Sequence, residues 1–438
     1  MKHILVLGAG RSSSALINYL AHYCQTHGHR LTVGDAQRAL AQERVTAPTQ
    51  AIAFDINDPA SEAVLREATI VLSLLPAFLH PIVARLCLKH RIHLLTASYV
   101  SDEIKTMHEE AARHGLLFLN ECGLDPGLDH MSAMQLIQGI QQKGGTITSF
   151  ESFTGGLIAP ATDPDNPWRY KFTWNPRNVV LAGQGTAKFL QHGQFKYVPY
   201  QQLFQRTAPV TIPGYGNFEG YANRDSLKYQ TVYGLTDVDT LLRGTLRNEG
   251  YCAAWNVLVQ LGCCDDTYMI ESAQAMTHAD FLKSFLAGDG PIEKMLCDQL
   301  SLAPEGEELK RLRWSGFLSA ERIGLSEGTP ARITEHILQK RWHLKPADKD
   351  LVVMWHRLRY RTGQTQHTLN AYLTAEGENA DRTAMAKTVG LPLAIATRLL
   401  LENKLEARGV VIPVTAEYYR PILHELQSLG VALRETES

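Results

Sequence analysis

The stretch Ile4-Leu5-Val6-Leu7-Gly8-Ala9-Gly10-Arg11-Ser12-Ser13-Ser14-Ala15-Leu16 passes from an apolar run, through two glycines, into the helical spacing of Leu16, Ile17 and Leu20. Strand, glycine loop and helix in that order open a dinucleotide-binding βαβ unit. The first glycine makes the tight turn, the second lets the backbone approach a pyrophosphate, and a small third residue keeps helix and strand close. Ser13 stands at that third position, which weakens the pattern without breaking it. The free N–H groups at the helix start would hold the phosphates, so Gly8, Ala9, Gly10, Arg11, Ser12 and Ser13 are the expected cofactor contacts. The apolar run is far too short for a secretory signal and leads directly into the loop, so it reads as a strand.

Working outward, Arg30 to Gly34 is a second strand and ends at Asp35, close to the offset of about 20 residues at which such units place the ribose-binding acid. An Asp there hydrogen-bonds a 2′-hydroxyl and repels a 2′-phosphate, which favours NAD, with NADP as the alternative that Arg38 would accommodate. Alternation continues with strands at Ala51 to Phe54, Ile70 to Leu75, Leu94 to Ala97 and Leu116 to Leu119, separated by helical stretches. Repeated βα units imply a parallel sheet with right-handed crossovers. Strand ends then share one rim, which adds Asp55, Ile56, Leu75, Pro76, Ala97 and Ser98 to the cofactor contacts and places Tyr99 beside them. The strand ending at Leu119 feeds Glu121-Cys122-Gly123-Leu124-Asp125-Pro126-Gly127-Leu128-Asp129-His130, a Gly/Pro turn rich in acids, before a helix from Met131.

At 438 residues the chain is long enough for two or three cores. Its formal net charge of −2 provides no footprint for nucleic acid or for an anionic membrane surface, and its 45% hydrophobic content is that of a globular enzyme. No apolar run of about 20 residues suggests a membrane span. Seven cysteines without a CxxC pair fit a reduced cytoplasm, and neither they nor the histidines show metal-ligand spacing, so no metal is expected.

Beyond the turn, Thr146 to Thr154 alternates as a strand broken by Gly155-Gly156, and further strands are expected at Phe195 to Val198, Val210 to Ile212, Tyr170 to Trp174 and Asp239 to Leu246. Helical spacing dominates from Ser272 to about His343. Asp350 to Arg361 alternates at period two and pairs with Thr365 to Thr374 as a hairpin around Gly363. Thr383 to Glu402 reads as an amphipathic helix interrupted at Gly390-Leu391-Pro392. The expected class is α/β: a Rossmann-type parallel-sheet domain at 1–125, completed by about 385–438; a second α/β domain with a mixed sheet at 126–270 and about 346–384, for substrate and dimerisation; and a small all-α insertion at 271–345.

The runs Ser73-Leu-Leu-Pro76, Thr96-Ala-Ser-Tyr-Val100, Asn120 to His130, Asn166-Pro-Trp-Arg-Tyr-Lys-Phe-Thr-Trp174, Tyr221-Ala-Asn-Arg-Asp-Ser226, Leu242-Arg-Gly-Thr-Leu-Arg247 and Thr383 to Pro392 occur in order along the chain. Together they resemble saccharopine dehydrogenase of the glutamate-forming type, and the resemblance covers essentially the whole chain. It implies oxidation of saccharopine, with water, to glutamate and 2-aminoadipate 6-semialdehyde in lysine metabolism. It also implies substrate contacts at Ser98, Tyr99, Asp125, Arg224, Thr245, Leu246 and Arg247, and further cofactor contacts at Leu124, Asp125, Pro126 and Trp174. Arg224 and Arg247 suit a substrate with three carboxylates, because a guanidinium binds a carboxylate bidentately. Departures from the family are Thr154, where a Cys is common, and the serine-rich glycine loop. Nothing resembles the lysine-condensing domain of the bifunctional animal and plant chains, so the second step alone is expected.

For the chemistry, Asp125 is expected to accept a hydrogen bond from the bridging amine, with Tyr99 assisting proton transfer and Lys171 as reserve acid/base. Asp225 is expected to fix Arg224. A related imine-reducing dehydrogenase of the carboxynorspermidine or carboxyspermidine type, and a catalytically silent dinucleotide-binding protein, stay open as alternatives. The remaining expectations are a small-molecule substrate, no nucleic acid, no membrane, a homodimer and a cytoplasmic location.

Overall fold

The strands β1 (His3–Leu7), β2 (Arg30–Asp35), β3 (Gln50–Ala53), β4 (Ile70–Ser73), β5 (His93–Thr96) and β6 (Leu117–Leu119) are short, mostly aliphatic and separated by helices. Such runs form strands covered on both faces, and most of their residues are buried. In the computed structural model, which describes residues 1–437, they join a late strand, Gly409–Val411, in a seven-stranded sheet ordered Gly409–Val411, β6, β5, β4, β1, β2, β3. Every pairing is parallel. Ile4 to Leu7 lie beside Leu31 to Gly34 on one side and Ile70 to Ser73 on the other. Strand succession reverses between β1 and β4, which opens a crevice at their carboxyl ends, where doubly wound sheets bind ligands.

The chain forms two compact units, Met1–Thr146 with Leu373–Arg434, and Ile147–Tyr372 with Glu435–Ser438. The first extends past the expected boundary at 125, because the helix Leu128–Gln142 packs with the helix Ala416–Ser428 inside it. The helix expected to break at Gly390-Leu391-Pro392 instead runs unbroken from Ala384 to Leu401 and is buried on most sides rather than amphipathic. Loss of one N–H at Pro392 is a local cost that the burial of this apolar helix offsets. Gly390 lets the two helices approach closely: a Cβ there would stand 3.0 Å from the Leu16 nitrogen and 3.4 Å from the Ser12 carbonyl oxygen. The helix thus packs directly on the start of Ser14–His27, the helix that follows the glycine loop. It is long and apolar enough to cross a membrane, yet most of it is buried in this unit.

The second unit is built on β7 (Thr146–Ile158), β8 (Ala187–Gln191), β9 (Gln194–Val198), β10 (Thr207–Ile212), β11 (Gly216–Ala222), β12 (Thr240–Asn248), β13 (Asp350–Thr362) and β14 (Thr365–Glu376). These and Leu433–Glu437 make a nine-stranded sheet ordered β10, β11, β12, β7, β13, β14, Leu433–Glu437, with β8 paired to β12 and β9 to β8. It is mixed: β12 runs parallel to β7 and antiparallel to β11. The expected hairpin about Gly363 is present, with that residue at φ 60°. Tyr170 to Trp174, expected as a strand, has no regular structure, because the aromatic side chains are drawn into a cluster instead. The 271–345 stretch is helical, but it does not stand apart as a domain. Trp342, at the end of its last helix (Pro330–Trp342), lies 4.9 Å from Tyr170, 5.2 Å from Phe172 and 5.3 Å from Trp168 between ring centroids, so helices and sheet share one core.

Candidate active site

In the first unit the glycine loop has the form its spacing predicts. Gly8 adopts φ 99°, and a Cβ on it would approach the Leu74 carbonyl oxygen to 3.0 Å, so no other residue fits between β1 and β4. At Gly10 a Cβ would meet no protein atom within 4 Å. The reason for glycine there lies with whatever approaches the loop, as a pyrophosphate does. Ser13, buried in place of the third glycine, donates both its N–H (3.1 Å) and its hydroxyl (2.8 Å) to the Gly10 carbonyl and closes the turn. These residues fit a dinucleotide.

Asp35 has an additional role that spacing does not reveal. Its Oδ2 accepts the Ala9 N–H at 2.8 Å and its Oδ1 the Gln37 N–H at 2.9 Å, so the carboxylate ties the loop to the end of β2. Asp55, exposed after β3, accepts the Asn57 N–H at 2.9 Å in an Asx turn, beside buried Ile56. Leu75 and Pro76 follow β4, and Ala97, Ser98 and Tyr99 follow β5. The rim therefore gathers the expected cofactor residues of this unit. Arg11 and Arg38 are exposed near it.

Tyr99 donates its phenolic hydrogen to Asp125 Oδ1 at 2.9 Å, and the half-buried Asp125 sits in a turn that is steeply constrained. Gly127, at φ 144°, has Gly123 so close that a Cβ would fall 2.2 Å from the Gly123 nitrogen, and a Cβ on Gly123 would fall 2.8 Å from that of Ala97. Glu121, in the left-handed region at φ 54°, donates its N–H to the Ser98 carbonyl at 3.0 Å and accepts the Val100 N–H at 3.1 Å. Its other oxygen lies 2.9 Å from His130 Nε2, and Asp129 Oδ1 accepts the Gly127 N–H at 2.7 Å. Glu121, Asp129 and His130 are all buried, so the acids and the His of this turn brace the segment that carries Leu124, Asp125 and Pro126. Sequence reading missed that bracing. It also missed His80, whose partners Ser73 (Nδ1, 2.9 Å) and Ser98 (Nε2, 2.8 Å) sit on neighbouring strand ends. Burial pushes the His80 imidazole down to about 4. No local pattern marks a residue whose partners lie on other elements.

In the second unit β12 carries Thr245, Leu246 and Arg247. Thr245 pairs with Thr154 on β7 and Tyr221 on β11, and the Thr154 hydroxyl is buried without a hydrogen-bond partner. Gly155 permits this pairing, since a Cβ there would lie 2.6 Å from the Leu246 carbonyl oxygen. Arg247 is buried, its guanidinium carbon 5.1 Å from the Tyr170 ring centroid, 5.3 Å from Tyr251 and 5.9 Å from Tyr221. Its Nη1 donates to the Leu246 carbonyl at 2.9 Å, while Nε makes no hydrogen bond. Burial raises all three phenols, that of Tyr221 to about 12, against the pull of the Arg247 charge, so the rings stay neutral. Arg224 is an exposed left-handed residue at φ 50°. Asp225, expected to fix it, instead accepts the Leu227 N–H at 3.1 Å and stands 3.7 Å from Lys188 Nζ. Trp174 is half-buried. Lys171 is fully buried, with Nζ 2.8 Å from Asp163 and 2.7 Å from Asp348. A lysine held between two carboxylates braces the fold.

Comparison with known proteins bears on these features. The family description "Saccharopine dehydrogenase NADP binding domain" matches residues 4–119 and "Saccharopine dehydrogenase C-terminal domain" matches residues 123–431. A saccharopine dehydrogenase [NADP(+), L-glutamate-forming] of Schizosaccharomyces pombe is 30% identical over 450 residues, covering 99% of both chains. The mitochondrial alpha-aminoadipic semialdehyde synthase of Mus musculus is 33% identical over 444 residues, covering 98% of this chain and 47% of that protein. The chain thus spans about half the length of the first curated relatives that it matches. The structure of apo histidine-tagged saccharopine dehydrogenase (L-Glu forming) from Saccharomyces cerevisiae superposes with a TM-score of 0.89 at 29% identity over the full length of both chains.

Proposed function

The chain belongs to the saccharopine dehydrogenase family, and from that premise we propose that it oxidises L-saccharopine with NAD(P) and water to L-glutamate and L-2-aminoadipate 6-semialdehyde, reversibly, in lysine metabolism. The C–H bond that breaks lies on the lysine-derived carbon next to the bridging nitrogen. The nicotinamide, when bound, accepts the hydride. The nitrogen loses its proton, and water adds to the resulting carbon–nitrogen double bond and releases the amine as glutamate. Gly8 to Ser13, Asp35, Asp55, Ile56, Leu75, Pro76, Ala97, Ser98, Leu124, Asp125, Pro126 and Trp174 are assigned to the cofactor. Ser98, Tyr99, Asp125, Arg224, Thr245, Leu246 and Arg247 are assigned to the substrate.

The observation that carries this reading is the Tyr99–Asp125 hydrogen bond at the rim of the parallel sheet. A carboxylate held by a phenol is equipped to accept a hydrogen bond from a secondary amine and to pass its proton on. Arg247 adds support, because a buried guanidinium with an unpaired Nε among neutral rings suits a carboxylate, of which saccharopine has three. We assign NAD as the preferred cofactor from Asp35, whose charge opposes a 2′-phosphate, although the family description and the yeast relative are named for NADP. We also assign a homodimer in the cytoplasm. The edge strand β9 exposes Phe195 and Tyr197, and the seven cysteines are free thiols.

The test is the near-ultraviolet absorbance of reduced nicotinamide on adding saccharopine at alkaline pH, with NAD and NADP in parallel. Saccharopine-dependent reduction of NAD ahead of NADP is expected. Cofactor binding without turnover would instead support a silent binder, and turnover confined to carboxynorspermidine would reassign the substrate.

A further inference from the structure

Ser98 follows β5, and its side-chain oxygen lies 2.8 Å from His80 Nε2. His80 opens the helix His80–His90, and its Nδ1 is 2.9 Å from the hydroxyl of Ser73, the last residue of β4. Thr96 Oγ1 is 3.4 Å from Nε2 and accepts the Ser98 N–H at 3.2 Å. One imidazole therefore joins two adjacent strand ends at the rim.

The direction of each hydrogen bond follows from counting donors. Ser73 is wholly buried, and its hydroxyl has one partner, His80 Nδ1. A buried hydroxyl hydrogen without an acceptor is costly, whereas an unfilled lone pair is tolerated. The Ser73 hydroxyl therefore donates to Nδ1, which makes Nδ1 the acceptor nitrogen and places the ring hydrogen on Nε2. That hydrogen points to Ser98 Oγ; the opposite tautomer would let the buried Thr96 hydroxyl donate to Nε2, but only over 3.4 Å, and would take from Ser73 its one acceptor at 2.9 Å, so the shorter bond sets the direction. Ser98 receives a hydrogen bond from the ring, and its own hydroxyl hydrogen is turned away from the ring. The low basicity of His80 keeps the ring neutral at working pH, so this direction is not lost by protonation.

We propose that His80 is a positioning residue that fixes the Ser98 hydroxyl as a hydrogen-bond donor to a carboxylate of the substrate. With the opposite tautomer, Ser98 would spend its hydrogen on the ring and present lone pairs to an anion. This rests on the assignment of Ser98 as a substrate contact made above, whereas the tautomer itself does not.

The test combines kinetics and ring spectroscopy on the full chain. His80→Leu is expected to raise the KM for saccharopine about tenfold, the worth of one oriented hydrogen bond to a charged group, with kcat within about twofold and a smaller rise in the cofactor KM. His80→Gln, which keeps an N–H directed at Ser98, is expected to recover most of the loss. In a Ser98→Ala background His80→Leu should add nothing, because its effect passes through that hydroxyl. Two-bond nitrogen–proton correlations of labelled histidine, with the His80 signal assigned by its loss in His80→Gln, should show the hydrogen on Nε2. A hydrogen on Nδ1, additive losses in the double variant, or an effect confined to the cofactor KM would each overturn the proposal. If the wild type did not turn over saccharopine, the functional assignment would fail, and the ring spectrum would still decide the direction of the relay.

Discussion

Asp35 Oδ2 holds the Ala9 N–H at 2.8 Å, so the acid assigned to the ribose is also the tether of the glycine loop. Asp35→Asn removes the charge that opposes a 2′-phosphate but keeps one carbonyl oxygen for the two backbone N–H groups. The ratio of kcat/KM for NADP to that for NAD is expected to rise at least about tenfold, with about 1 kcal/mol lost from stability. Parallel kinetics and denaturant unfolding measure the two effects. An unchanged ratio would leave Asp35 as a tether only.

Tyr99 and Asp125 act as one unit through their hydrogen bond. Asp125→Asn is expected to lower kcat about 100-fold and Tyr99→Phe about tenfold, with the double variant no worse than Asp125→Asn. Wild-type turnover in Asp125→Asn would remove the acid from the mechanism.

Arg247 has an aromatic setting that an apolar side chain would also fill. Arg247→Met should therefore fold, while the KM for saccharopine rises about 100-fold, and Arg247→Lys should not restore it, because an ammonium lacks the planar fork. Steady-state kinetics with a melting curve for each variant distinguishes lost binding from lost folding.

Lys171 provides the converse case. Lys171→Met leaves Asp163 and Asp348 without their shared cation and is expected to cost about 3–5 kcal/mol, while kcat per folded molecule stays near wild type. A large fall in kcat of fully folded Lys171→Met protein would return the residue to the chemistry.

Histidine burial sets a pH dependence. The folded-state pKa of His80 is depressed to about 4 from the ordinary 6.5, so below pH 6.5 the unfolded chain binds a proton that the folded chain refuses. Stability is expected to fall by about 1.4 kcal/mol per pH unit between those values from this residue alone. His93 is depressed to about 4 as well, chiefly by burial and then by the charges of Arg408 and Lys2, and adds to the slope. Urea midpoints of wild type and His80→Gln across this range read the His80 share.

Much of the first sheet was legible because its strands are contiguous aliphatic runs punctuated by Gly8, Asp35 and Pro76, signals that act within a few residues. The glycine loop was legible for the same reason. What escaped depended on partners distant in sequence. Trp342 pulled Tyr170 and Phe172 out of an expected strand, and burial carried the helix Ala384–Leu401 straight through Pro392. Lys171 stands in an aromatic run that says nothing of its ion pairs, because Asp348 lies far along the chain and Asp163 eight residues before it. Arg247 was found through resemblance and not through spacing, Asp125 through its place in the turn after a strand as well as through resemblance, while His80 was visible to neither, since Ser73 and Ser98 meet it only in space.

The contact of Gly390 with Leu16 has a consequence for the chain as it is made. The dinucleotide-binding strands leave the ribosome ahead of residues 147–372, but the helix that covers their first crossover, and the seventh strand at Gly409–Val411, emerge only after that stretch. Until then a face of the first sheet lacks its apolar cover and is open to chaperones. Nascent chains halted before Ala384 should consequently be bound by chaperones and cut by proteases within residues 1–146, and those properties should disappear once Val411 has cleared the exit tunnel.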